Sequence, residues 1–307
     1  MERHPESARP QRDLARAGLW ATGPAQLELP LTAEGLSEII RASGRLKLTP
    51  DFDVFAWVCE RWLSPAGSVD PDFQHRDGWA LFTLRELGFA LYGREPNGRD
   101  RQALRASLRR LYRVELDLVG YDAHTGERDR NVCTWARLVS EVVSEIDRLG
   151  PRADPKKIGA LRGSTFKVEL PRWLRQQLAE GNFVRVHWPT LRSFSENQPL
   201  AKRLWIYLQA EHYKRVSGEL EGTWLAVGDR LFTALGMDYG RPRDARAALA
   251  RACRAIQILD VRYRRLDVVR FGRTWRITAD RLTAETLREQ GAELREARAA
   301  IRASLAA

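Results

Sequence analysis

The sequence predicts an α+β protein built as two tandem winged-helix domains, each a helix-turn-helix followed by a β-hairpin. Three observations lead there. Two stretches nearly repeat: Tyr92 opens YGREPNGRDRQALRASLRRLYRVELDL, and Tyr239 opens YGRPRDARAALARACRAIQILDVRY. Overlaid, they set Leu104, Leu108 and Leu111 against Leu249, Cys253 and Ile256, an apolar stripe at helical spacing in each copy. Each copy then runs into alternating apolar and polar residues that read as a hairpin.

Taken in order, residues 1–45 read as a mobile tail, rich in Arg, Pro and Ala up to about residue 24. Residues 32–45 are expected to form a short helix, with Thr32 as its cap. The first winged-helix domain is expected over residues 46–147. From Asp51, DFDVFAWVCERWL places Phe52, Phe55, Val58 and Trp62 on one helical face. LFTLRELGFALYG reads as a second helix stopped by Gly93. The turn Pro96-Asn97-Gly98 leads into a third helix, Arg99 to Arg113, and VELDLVGYD and VCTWARLVSEV form the hairpin.

Residues 148–163, with their Pro, Gly and Lys, read as a linker, and the second winged-helix domain is expected over 164–280. It would begin with strand STFKVEL and helix PRWLRQQLAEG, Pro171 suiting its first position. PLAKRLWIYLQAEHY and TWLAVGDRLFTALG read as further helices before the second basic helix, residues 241–256. VRYRRLDVVRFGRTWRIT is the second hairpin, turning near Gly272. Residues 281–307 read as a C-terminal helix rich in Ala, Glu and Arg.

With 307 residues the chain can bury two cores. Its net charge of +11 and pI of about 10.0 favour an anionic partner, with DNA, RNA and a membrane surface all qualifying. No run approaches the roughly 18 apolar residues of a membrane span. No h-region occupies the first 20 residues, so no secretory signal is expected. Cys59, Cys133 and Cys253 are odd in number and far apart, which fits a reduced cytoplasmic setting.

On a wheel of about 100° per residue, the face opposite Leu104 carries Arg99, Gln102, Ala106, Arg109, Arg110 and Arg113, with Arg101 and Arg105 on its flank. In the second copy Arg243, Arg251 and Arg254 point away from Leu249. An arginine fork can pair with the O6 and N7 acceptors of guanine or bind phosphate, and Gln102 suits adenine. The hairpins add Arg128 and Arg130 in the first copy and Arg270, Arg273 and Arg276 in the second, placed for the backbone or the minor groove. The plainer reading of either helix is a solvated basic surface. Double-stranded DNA is the expected partner because both copies share the basic face, the turn before it and the hairpin after it.

Catalytic chemistry has no foothold. There is no GxxxxGK[ST] to hold a nucleotide. His4, His75, His124, His187 and His212 are scattered, with no HxH pair for a metal-dependent nuclease. Asp51 with Asp53, and Asp70 with Asp72, sit at helix starts or in loops, where Asp caps and turns. No enzyme activity, metal or cofactor is expected.

The stretch STFKVELPRWLRQQLAEGNFVRVHWPTLRSFSENQPLAKRLWIYL, residues 164–208, resembles the replication initiator proteins of bacterial plasmids, the tandem winged-helix initiators of the replication initiator protein A kind. The resemblance covers about residues 45–280. It implies binding to repeats at a plasmid origin, opening of adjacent DNA and recruitment of host initiator and helicase, with a monomer–dimer equilibrium as one further expectation. It also implies that the two basic helices enter successive major grooves. The alternative is a winged-helix repressor or partition protein that starts no replication. Gln26, Leu27, Leu29 and Leu31 in QLELPL resemble the peptide that docks on the bacterial sliding clamp, the other reading being an edge strand or loop packed on the first domain.

Overall fold

The computed structural model describes residues 7–8, 20–21, 39–43, 46–63, 78–121, 128–144, 165–179, 183–184, 186–213, 223–237 and 241–281. It is a mixed α+β protein with small sheets which, among the described residues, are antiparallel in all but one two-residue pairing. The chain divides into two compact units, residues 1–188 and 189–307.

In the first unit, short strands β1 (Ser7–Ala8), β2 (Trp20–Ala21), β3 (Ile39–Ser43) and β4 (Leu46–Lys47) precede a π-turn at Leu48–Phe52 and helix α1 (Asp53–Leu63). Strand β5 (Trp79–Thr83), helix α2 (Leu84–Tyr92) and helix α3 (Gly98–Arg113) follow. Then come β6 (Glu115–Tyr121), β7 (Arg128–Arg137), β8 (Glu141–Ser144), β9 (Thr165–Glu169), α4 (Arg172–Ala179) and β10 (Val186–His187). One sheet has the order β3-β6-β7 and another β5-β9-β8. Residues 138–140 carry the chain from the first sheet to the second, Leu138 N–H reaching Val114 O and Ser140 N–H reaching Glu169 O.

Helix α1 is buried on nearly every side, from Asp53 through Glu60 and again at Trp62. The expectation of one apolar face was too narrow, because β5 and helices α2, α3 and α4 all pack on it. Trp57 meets Phe82 edge-on at 4.8 Å, and Phe82 stacks on Phe166 at 6.1 Å. Phe166 lies in β9, so the strand expected to open the second domain is a structural member of the first unit. The linker expected at 148–163 lies outside the described residues, and the compact units divide at residue 188: β9 lies between β5 and β8 and satisfies ladder groups on both.

Further expectations change. The helix expected at 32–45 is a strand at Ile39–Ser43, paired with β6, where adjacent β-branched isoleucines favour extended backbone. With β1 on β10 and β2 on β4, the described parts of the expected tail are thus paired strands. The start of LFTLRELGFALYG belongs to β5, because Thr83 accepts from Glu86 N–H and Glu86 accepts from Thr83 N–H, a capping box that starts α2 at Leu84. Gly93 ends α2 as expected, left-handed at φ 68° with its N–H on Phe89 O.

The second unit holds most of helix α5 (Trp188–Ser193), α6 (Pro199–Tyr213), β11 (Thr223–Val227), α7 (Asp229–Ala234), α8 (Pro242–Leu259), β12 (Tyr263–Phe271) and β13 (Thr274–Arg281). The expected helix TWLAVGDRLFTALG is therefore a strand followed by a shorter helix. Thr223–Val227 pairs with β13, giving one sheet of order β11-β13-β12. Pro171 stands one residue before α4, its carbonyl accepting from Leu174 and Arg175, rather than inside it. The linker 148–163, the QLELPL segment and nearly all of 281–307 lie outside the described residues.

Candidate nucleic-acid interface

Helix α3 begins at a second capping box. Asn97 Oδ1 accepts from Asp100 N–H at 2.9 Å, and the Asp100 carboxylate accepts from Asn97 N–H at 3.0 Å. Arg94 Nη1 donates to the same carboxylate at 2.6 Å. Those two interactions, Arg94 first, hold Asp100 below the usual carboxylate range. Gly88 in α2 has no side chain because Pro96 lies against it, and a Cβ there would overlap the Pro96 ring. The turn that aims α3 is therefore fixed from both sides.

The inner face of α3 is Leu104, Ser107, Leu108 and Leu111, all buried. Arg99, Gln102, Arg109 and Arg113 are exposed and share an arc of about 80° at 100° per residue. Among the described residues, Arg99, Arg109 and Arg113 have no carboxylate partner. Arg101, on the flank, donates to Pro96 O and pairs with Glu95. Arg105 is only half exposed.

Arg110 does not belong to this face. Its Nε and Nη2 grip Asp51 Oδ2 and Oδ1 at 2.8 and 2.7 Å, and Asp51 is wholly buried. Asp51 also accepts from Lys47 N–H at 2.7 Å. The expected DNA contact at Arg110 is thus an internal fork that ties α3 to the π-turn before α1. The guanidinium's bidentate geometry suits a carboxylate as well as it suits a guanine.

Helix α8 has Pro242 at its first position and buries Ala245, Ala248, Leu249, Ala252, Cys253 and Ile256. Burial pushes the Cys253 thiol up to about 12, so it packs as a small apolar group. Arg243, Ala247, Arg251 and Arg254 are exposed, again within an arc of about 80°. None of these arginines has a carboxylate partner among the described residues. When the leucine stripes are aligned, Arg109 and Arg254 occupy the same position. Arg246 is aligned with Arg101 and lies over the Trp275 ring at 4.6 Å, anchoring the helix to its hairpin.

Sequence reasoning missed the supports beneath α8. Arg203 of α6 is fully buried, its Nη2 donating to Ala234 O at 2.8 Å at the end of α7. Burial pulls this guanidinium down to about 9. Asp260, which ends α8, accepts from Trp205 Nε1 at 2.7 Å and from Arg262 Nη2 at 2.6 Å. Burial alone would raise this carboxylate, but the Arg262 hydrogen bonds and charge, with the Trp205 indole, hold it below the usual range. Gln209 Nε2 donates to the Tyr263 hydroxyl at 2.9 Å. The only sequence signal for this network was polar residues on the otherwise apolar α6.

In the second hairpin, Arg270 and Arg273 are exposed at the tip, and Arg276 is half buried. Arg128 and Arg130 lie in β7. Gln26, Leu27, Leu29 and Leu31 lie outside the described residues. No helix among the described residues is long and apolar enough to cross a membrane. No known protein family matches the chain, and no curated protein does.

Proposed function

We propose that the protein is a sequence-specific binder of double-stranded DNA, each unit acting as a winged-helix module with α3 or α8 as its reading helix. The observation that carries this is the pair Arg109 and Arg254. Each is exposed, on the outer face of a helix that buries its apolar stripe and leads directly into an antiparallel hairpin. The order β11-β13-β12 around α8 supports the same reading for the second unit. Arg109 and Arg254 would contact base edges in the major groove, while the other exposed arginines neutralise phosphates.

The resemblance across residues 164–208 extends the proposal to initiation of plasmid replication at origin repeats, with recruitment of host replication proteins. Mobility shift with duplex flanking the gene, followed by footprinting, tests the binding. Retarded complexes with protected major-groove segments support it, and equal affinity for any duplex counts against sequence-specific reading. Maintenance of a reporter plasmid that depends on both the protein and that duplex separates an initiator from a repressor or partition protein. Binding without maintenance would favour the latter.

A further inference from the structure

The tip of the second hairpin carries a feature that groove reading does not use. Phe271 is 57 % exposed, at the last position of β12 before the two-residue turn Gly272-Arg273. Gly272 is left-handed at φ 59°, as a tight hairpin turn of this length requires, and a Cβ on it would meet nothing within 4 Å. The pairing of Phe271 with Thr274 and of Val269 with Arg276 puts Phe271 and Arg276 on one face of the hairpin. Leu266, Ile277 and Ala279, on the other face, are buried. Phe271 therefore stands on the face turned away from the core.

The Arg276 guanidinium lies over the Phe271 ring, 3.6 Å from its centroid. One ring face is thus covered by a cation and the ring remains more than half exposed. Arg273, in the turn, is exposed beside it, while Arg270, paired with Trp275, belongs to the opposite face and donates its Nε to Gly272 O at 3.2 Å. The nearest carboxylate along the strand, Asp267, is engaged by Arg265 at 2.8 Å. An accessible aromatic face backed by a guanidinium and flanked by a cation is the chemistry that binds an unpaired nucleobase: the base stacks on the ring and the cations take its phosphates. A base pair inside a duplex offers no such face without being unstacked.

We infer that the tip formed by Phe271, Arg276 and Arg273 is a stacking platform for an unpaired base of single-stranded DNA. This rests on the proposed function in naming DNA as the anion, and it adds a second, strand-selective contact to it. Phe271 is exposed, so substitution there leaves the core intact.

The test uses the intact chain with a fluorescein-labelled oligothymidine, an oligonucleotide carrying 2-aminopurine, a duplex, and phosphatidylserine vesicles. Wild-type protein should quench the 2-aminopurine. Phe271→Leu should weaken single-strand binding about tenfold, Phe271→Trp should restore it, and neither should change duplex affinity. Unchanged single-strand binding by Phe271→Leu overturns the inference, as does an equal loss on duplex. Vesicle binding that alone depends on Phe271 would overturn it in favour of a lipid surface. Duplex binding without single-strand binding sinks this inference alone. The reverse result sinks the proposed function and leaves the platform standing.

Discussion

The two units follow the same element order around their basic helices but close their sheets differently. In the second unit β11 pairs directly with hairpin strand β13, giving one three-stranded sheet. In the first, β5 pairs instead with β9, which separates it from β8, and the hairpin strands β6 and β7 form another sheet with β3. The supports of the helices differ too. Helix α3 is pinned from its flank by Arg110 on buried Asp51, whereas the position aligned with Arg110 in α8 is Ala255. Helix α8 is held instead by Arg246 on Trp275 and by the Asp260 hub at its end. What both units share is the helix itself, its buried apolar stripe and its outward arginine set; the polar supports and the sheet closure around it differ.

The sharpest break in the comparison should come from Arg110→Ala. It leaves Asp51 buried with one partner fewer, and should cost about 3 kcal/mol of stability by denaturant unfolding. Arg109→Ala, one residue away and exposed, should leave stability within about 0.5 kcal/mol. Equal stability losses would mean that Arg110 is no more structural than its neighbour.

Gly88→Ala should displace Pro96 and destabilise the first unit by about 1–3 kcal/mol. Limited proteolysis should then cut at the turn before α3 while the second unit stays protected. Arg109→Ala and Arg254→Ala should each weaken specific duplex binding by about 1–3 kcal/mol. Loss in only one of them would assign base reading to one unit. Asn97→Ala, which removes the α3 cap, should cost about 1 kcal/mol. Arg241 makes no side-chain cap bond at the start of α8, so Arg241→Ala should cost nothing there.

The smallest effect concerns acid. Asp260 is held below its ordinary range in the folded chain, so its contribution is complete above the unfolded carboxylate value of about 3.9. It is lost as pH falls through the lower folded value. Asp260→Asn should therefore lower stability at neutral pH and flatten the acid limb below about pH 4, read by thermal unfolding across pH.

The apolar stripes of α3 and α8 were legible because a 3.6-residue period needs only local sequence, and the outward arginines follow from the same wheel. Gly93, the Asn97 turn and the Gly272 turn were legible because each ends or starts an element by its own backbone preference. Strand β5 could also have been read, since Thr83 and Glu86 form a capping box that forbids the helix from starting earlier. The Arg110–Asp51 fork was not legible: its partners are 59 positions apart, and the wheel alone leaves Arg110 looking solvated. Strand β9 was recognisable as a strand, but its placement between β5 and β8 depends on which edges lacked a partner, and no local pattern reports that.

The central claim is tested most directly by the salt dependence of duplex binding, measured for the intact chain and for the Arg109→Ala/Arg254→Ala double variant. The wild-type binding constant should fall by about 0.9 log units per log unit of salt for each of roughly five to ten phosphate contacts. The double variant should lose discrimination between its specific duplex and a random one. A shallow wild-type slope, or a double variant that still discriminates, would contradict the account.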